Sequence, residues 1–537
     1  MLLAVGTVPR FVGVELLLGA AAVALIARVF PIPVRRYVAA GREALGNARQ
    51  AWLADPPVHR AAVVLTLLFA VALRLYHLNQ PMRYDEANTY LRYATRPLTV
   101  ALTDYSFPNN HIFHSILVWA TTRILGFAPW VIRLPALVFG VLLVPATYLT
   151  GRVLAGRRAA LVAAALVAAL PWLVLYSTNA RGYTIVCLVF LVLILLADVL
   201  AAKDAPELWV PFALLIAVGT YTVPIMLFPA GVASLWILVE RARRDGVAAA
   251  VRLVPRLAGA LGLTGILVLA AYVPVVMKSG VAPLVGNRFV TALTWPEFAR
   301  SIPASARSLA ESMALGIPAL VAILLLLAVA VPFLGPRINR GRLLTLAATI
   351  ATWCLILLIA TRRMPPDRVW LFLAPIACIY AGAGAALAIE FGSRTMRVNG
   401  EATCAVASLL LAAGIGGNAV RERAVFTSLE AVGFRDARDV AQAVLAEVAD
   451  SERLVLIPPS GPSLDYYLLT LGGVRLEKLV PSTRTGRMLV VVDREYDQTL
   501  EIVKGRRDDV AWEQYERPVL LKEFARAELY EARVRRP

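Results

Sequence analysis

The chain has 537 residues, 59% of them hydrophobic and 17% charged, with a formal net charge of +18. Soluble domains hold roughly a quarter charged residues, whereas the apolar residues here gather into runs of about twenty, the length that crosses a bilayer. A soluble globular protein is excluded. Nucleic acid is not expected as a partner either: most arginines fall in short loops between apolar runs, and no basic stretch is interleaved with aromatics.

In chain order, the runs predict twelve spans at roughly 11–30, 61–79, 130–150, 159–176, 183–201, 208–222, 223–239, 257–277, 313–334, 343–360, 369–390 and 402–419. The first is long for the apolar part of a cleavable signal peptide and reads as a retained span. Cys187, Cys354, Cys378 and Cys404 lie inside these runs without CxxC spacing and read as small hydrophobes. Arg35, Arg36, Arg42 and Arg49 form one basic cluster, Arg152, Arg157 and Arg158 a second, and Arg241, Arg243, Arg244, Arg252 and Arg256 a third. Arg337, Arg340 and Arg342, then Arg394 and Arg397, complete the set. With twelve spans all five clusters fall on one side, the cytoplasm by the positive-inside rule.

Three segments are then external: a loop at about 80–129, a loop at about 278–312, and everything after about Gly417. The expected organisation is an α-helical polytopic membrane protein in three parts. Residues 1–60 carry an extra span and a basic segment, 61–419 the membrane domain, and 420–537 a small external α/β domain. In this tail Val440, Val444, Leu445 and Val448 are spaced for one helix face. Arg453–Ile457 and Met488–Val492 read as buried strands, and Ser460, Gly461 and Pro462 as a turn between elements.

The first external loop opens Met82-Arg83-Tyr84-Asp85-Glu86. A carboxylate at a membrane surface can deprotonate an acceptor hydroxyl; it can equally well favour the first turn of an interfacial helix. The loop ends Asn109-Asn110-His111-Ile112-Phe113-His114. The two histidines share a helix face, and with Asp85, Glu86 or Asp104 they could hold a metal. Without a spacing such as HExxH, a polar pair at the membrane interface is the plainer reading. Arg133, Arg181, Arg363 and Arg368 stand at external boundaries, against the positive-inside trend. Any one of them could snorkel. The three external sites together (Arg133, Arg181, and Arg363 with Arg368) point to an anion, since guanidinium forks match phosphate oxygens.

These stretches resemble the C-type, polyprenyl-phosphate-sugar-dependent membrane glycosyltransferases. They are most similar to bacterial members related to protein O-mannosyltransferases and aminoarabinose transferases. The likeness rests on Tyr84-Asp85-Glu86 after an early span, Asn109-Asn110-His111, Arg133-Leu134-Pro135, and Ser177 to Tyr183 with its Ala-Arg-Gly-Tyr core, and covers roughly 60–390. It implies a polyprenyl-phosphate-linked sugar donor, a lipid, glycan or protein acceptor, and inverting displacement at the external face of the cell (inner) membrane. It makes Asp85 the general base, with Glu86 orienting the base or acceptor. Arg133 would hold the donor phosphate, with Arg181, Arg363 and Arg368 as further candidates. Tyr84, Asn110, His111, His114 and Tyr183 would contact donor or acceptor. The resemblance fixes no cofactor, and a divalent cation stays open. The first span and the tail depart from the family's usual plan. The competing expectation is a multi-pass transporter or lipid-linked sugar flippase; paired half-repeats and mid-span ionisable residues would support it, and neither stands out.

Overall fold

The computed structural model describes residues 8–30, 33–107, 109–286, 290–334, 340–428, 433–447, 453–479 and 486–535; Arg337 and Val448 lie outside them. Among the described residues eight helices are long and apolar enough to cross a membrane: Pro57–Tyr76, Pro129–Ala155, Tyr183–Ala202, Pro224–Asp245, Val247–Ser279, Gly341–Thr361, Asp367–Met396 and Gly400–Arg421. Two bent pairs raise the count to ten: Arg157–Ala169 with Pro171–Ser177 (60°) and Trp295–Ala314 with Ala319–Phe333 (110°).

The helical membrane class holds, and up to ten of the twelve expected spans have the length and composition of a span among the described residues. The other two runs also form helices. The run at 208–222 is the 14-residue helix Trp209–Thr222, roughly 21 Å long against about 30 Å of hydrocarbon. It stops because Val223 precedes Pro224 and is extended. The run at 11–30 lies in the 22-residue helix Val8–Val29, which is long enough to cross a bilayer.

The run at 159–176 is broken for a chemical reason. Pro171 has no amide to offer the carbonyl of Val167, and its ring excludes a straight helix, so Leu170 turns out to φ −59°, ψ 114°. The carbonyls freed at the break are taken by Arg74 of the helix Pro57–Tyr76. Its Nη2 donates to Val167 O (3.1 Å), its Nη1 to Ala168 O (2.9 Å), and its Nε to Ser177 Oγ (3.1 Å).

The chain forms two compact units. The first comprises residues 1–77, 102–114 and 135–425; the second comprises 78–101, 115–134 and 426–537. The loop at 80–129 is thus divided between them. It is built of short helices: Tyr84–Thr89, a π turn Tyr90–Ala94, Leu98–Thr103 and Ile112–Leu125.

The second unit holds a four-stranded sheet: β1 (Arg453–Val455), β2 (Arg487–Asp493), β3 (Val519–Glu523) and β4 (Ala527–Arg533), in the order β1-β2-β4-β3. β1 and β2 are parallel, and the β2–β4 and β3–β4 pairs antiparallel. β2 is buried from Met488 to Asp493, as a central strand covered on both faces should be. Its Met488, Val490 and Val492 pack with Val455, Ile457 and Ala532. Both expected strands are present, and the expected helix is Ala437–Glu447, with Val440 and Val444 buried. The turn expected at Ser460-Gly461-Pro462 is instead the first turn of the helix Ser460–Gly472, where a proline gives up only an amide that has no partner in the helix.

Candidate active site

The residues singled out in the sequence fall into two groups, one in each unit. In the second unit, Asp85 and Glu86 occupy the first turn of the helix Tyr84–Thr89. Glu86 is fully buried and joined to Arg133, which is also fully buried. Arg133 Nε donates to Glu86 Oε2 at 2.7 Å and Nη2 to Oε1 at 2.8 Å, the two-point geometry that a guanidinium and a carboxylate favour. Nη1 donates to the carbonyls of Leu78 (2.6 Å) and Gln80 (2.7 Å), and Nη2 also to that of Pro81 (2.9 Å). A guanidinium has five N–H donors, and these bonds engage all of them. Arg133 therefore clamps the chain just before the Asp-Glu pair and has no donor left over for a phosphate. Tyr84 and Asp85, in contrast, are only half-buried. The adjacent carboxylates thus differ: one is locked inside, while the other meets the surface.

The tail residues of this unit support the same segment. Met82 N–H donates to Tyr467 Oη (3.2 Å), and Tyr466 Oη donates to Phe127 O (2.7 Å). The Tyr466 ring meets Tyr90 edge-on, with centroids 5.5 Å apart.

In the first unit, the stretches 109–114 and 176–183 come together. Arg181 donates to Asn109 O at 2.9 Å and to Asn109 Oδ1, and its guanidinium lies 5.9 Å from the Tyr183 ring centre. His111 Nδ1 accepts the backbone N–H of Gly182 at 2.9 Å. Glycine is required at 182, because a Cβ there would come within 2.4 Å of Thr222 and 3.2 Å of His111 Nδ1. The Tyr183 ring stands edge-on to both His111 and Tyr176, each at 5.1 Å. Asn110 Nδ2 donates to Asp104 O (2.9 Å). Burial first, and then the charges of Arg181, His114 and Arg368, hold the His111 pKa well below the usual imidazole range. The ring is neutral near pH 7, and with Nδ1 accepting from Gly182 its proton is on Nε2. His114 is fully buried, and neither ring nitrogen has a hydrogen-bond partner among the described residues. Arg363 and Arg368 are half-buried, before and at the start of the 3-10 turn Asp367–Phe372.

Among the described residues no three His, Cys, Asp or Glu side chains are gathered for a metal ion. One residue of this neighbourhood carries no motif. Arg74, fully buried, fixes Ser177 at the head of the Ser177–Tyr183 stretch. Its one sequence signal is a charge inside an apolar run.

Residues 109–277 match the family model described as Dolichyl-phosphate-mannose-protein mannosyltransferase. The match includes His111, Arg133, Arg181 and Tyr183 and begins after Asp85. In structure the chain is similar to ArnT from Cupriavidus metallidurans, in the apo state (TM-score 0.56) and bound to undecaprenyl phosphate (TM-score 0.53). Each comparison has 14% identity and covers 87% of this chain and 97% of ArnT. No curated protein sequence matches the chain. At that identity the likeness is one of fold, and it is the fold that the sequence resemblance implied.

Proposed function

We propose that this chain is a membrane glycosyltransferase that moves a sugar from a polyprenyl-phosphate carrier to an acceptor hydroxyl, with Asp85 as the general base. The observation that carries the reading is the contrast between adjacent carboxylates: Glu86 is clamped by Arg133, and Asp85 is half-buried on the same turn. The match to the mannosyltransferase model and the fold shared with ArnT support the reaction class.

Asp85 takes the acceptor proton as the acceptor oxygen bonds to the anomeric carbon. The bond from that carbon to the phosphate oxygen breaks, and polyprenyl phosphate leaves with inversion. A phosphate needs no acid to leave, but its charge needs stabilising. Arg181, Arg363 and Arg368 are the candidates for that charge, and the neutral His111 offers an Nε2–H donor. Arg133 is reassigned from phosphate ligand to the clamp that holds the Asp-Glu turn. We assign the reaction to the external face of the cell (inner) membrane, the side that the twelve-span reading of the basic clusters implies. Tyr84, Asn110, His114 and Tyr183 are the candidates for contacts with sugar or acceptor hydroxyls.

The test uses purified wild type and Asp85→Asn with a panel of polyprenyl-phosphate sugars and lipid, glycan and peptide acceptors, following polyprenyl phosphate by mass spectrometry. Wild type is expected to release it, and the variant to be about 10²- to 10⁴-fold slower. Equal release by both removes Asp85 from the base's role. Release by neither, with every acceptor class supplied, overturns the enzyme reading in favour of transport.

A further inference from the structure

We propose that a cavity in the first unit, independent of the reaction above, binds the phosphate of an anionic membrane lipid. The cavity measures about 850 Å³ and lies where the helices Pro129–Ala155 and Leu373–Met396 end and Arg157–Ala169 and Gly400–Arg421 begin. That volume is of the size that holds a small ligand.

Its lining has four positive charges, Arg152, Arg157, Arg158 and Arg394, against two negative ones, Glu390 and Glu401. Glu401 is shared: its Oε1 accepts from Arg157 Nη2 at 2.7 Å and from Arg158 Nε at 2.9 Å. Glu390 is shared as well, between Arg394 and, at 3.8 Å, Arg158. Arg152 is tied to Asp55 below. The carboxylates therefore hold the arginines in place without balancing them. Arg157 and Arg394 remain 40% and 65% exposed. Each of these two guanidiniums is oriented by a carboxylate on its Nη2 and is otherwise open to the cavity mouth, an arrangement suited to phosphate oxygens. The N-terminus of the 13-residue helix at Arg157 opens on the same cavity and has no side-chain cap, which adds to the pull on an anion.

The choice of a lipid over a soluble phosphate rests on the wall and the setting. Leu387 and Phe391 line the cavity, and Phe391 is 77% exposed. An aromatic left bare beside arginines at the end of a spanning helix sits at the depth of acyl chains below headgroups.

The test is native mass spectrometry of the full chain in neutral detergent. Phosphatidylglycerol or phosphatidylethanolamine of the same acyl chains is added, with inorganic phosphate as a separate arm. Wild type should retain phosphatidylglycerol in preference. Replacing Arg157 and Arg394 together (Arg157→Gln, Arg394→Gln) should lower its retention about fivefold or more. Glu390→Gln should raise it, because two arginines lose a competitor. Effects of opposite sign from one cavity cannot come from general unfolding, and unfolding temperatures of both variants check this directly. Equal retention of the two lipids by wild type, or retention unchanged in both variants, overturns the proposal. Stabilisation of wild type, but not of the arginine variant, by inorganic phosphate without preference between lipids would make the ligand a soluble phosphate and overturn the lipid assignment.

Discussion

Arg133 and Glu86 stand 47 residues apart and were legible only as separate features, a boundary arginine and half of an acidic pair. Their pairing follows from a loop that folds back on itself, which no local spacing records. The same geometry changes what a substitution does. Arg133→Met should leave the buried Glu86 with only the more distant Arg83, at 3.9 Å, and free three carbonyls, destabilising the protein by about 3 kcal/mol. Glu86→Gln keeps the side-chain carbonyl as an acceptor and should cost less. Thermal unfolding in detergent would rank them, and an Arg133→Met protein as stable as wild type would show that the clamp contributes nothing. His111 and Arg181 were legible from their motifs. The proton on Nε2 was not, because it depends on which backbone amide meets the ring.

At the level of elements, run length found the spans and the β strands, and it failed where one residue redirected the chain. Pro171 divides a run that reads as continuous, and Pro462, which reads as a turn, sits in a helix because it falls in the first turn. The end of β2 offers a pH test. Asp493 is fully buried, accepts from Ser460 Oγ at 3.0 Å and caps Glu495 N–H. Burial, then the charges of Glu495 and Asp436, push its pKa up to about 6 despite those bonds. A raised carboxylate pKa stabilises the fold below the unfolded value, near 3.9, and that gain is lost as pH rises through about 6. The loss amounts to about 3 kcal/mol at most. Asp493→Asn should therefore make the tail more protease-resistant than wild type at neutral pH, with the two converging below about pH 4. A gap that widened on acidification would contradict the assignment.

For the whole molecule, the sequence divides at about residue 420, and the structure divides differently. Residues 78–101 and 115–134 belong with 426–537. A change in composition marks where soluble character begins, but it says nothing about which distant segment a tail packs against. The segment bearing Asp85 is held by Tyr466 and Tyr467 through Phe127, Tyr90 and Met82. Deleting 426–537 should therefore abolish sugar transfer and expose 78–101 to protease, while the first unit's helices stay in the membrane. A truncated protein with full turnover would make the tail an accessory.

The broken span also bears on biogenesis. Arg74 is synthesised 93 and 94 residues before Val167 and Ala168, the carbonyls that solvate it. Until they arrive, the helix Pro57–Tyr76 carries a cation whose insertion costs up to about 3 kcal/mol at mid-membrane and less near an end. Its final seating in the bilayer is thus completed by a later part of the same chain. The order of translation becomes part of how the site around Ser177 is assembled.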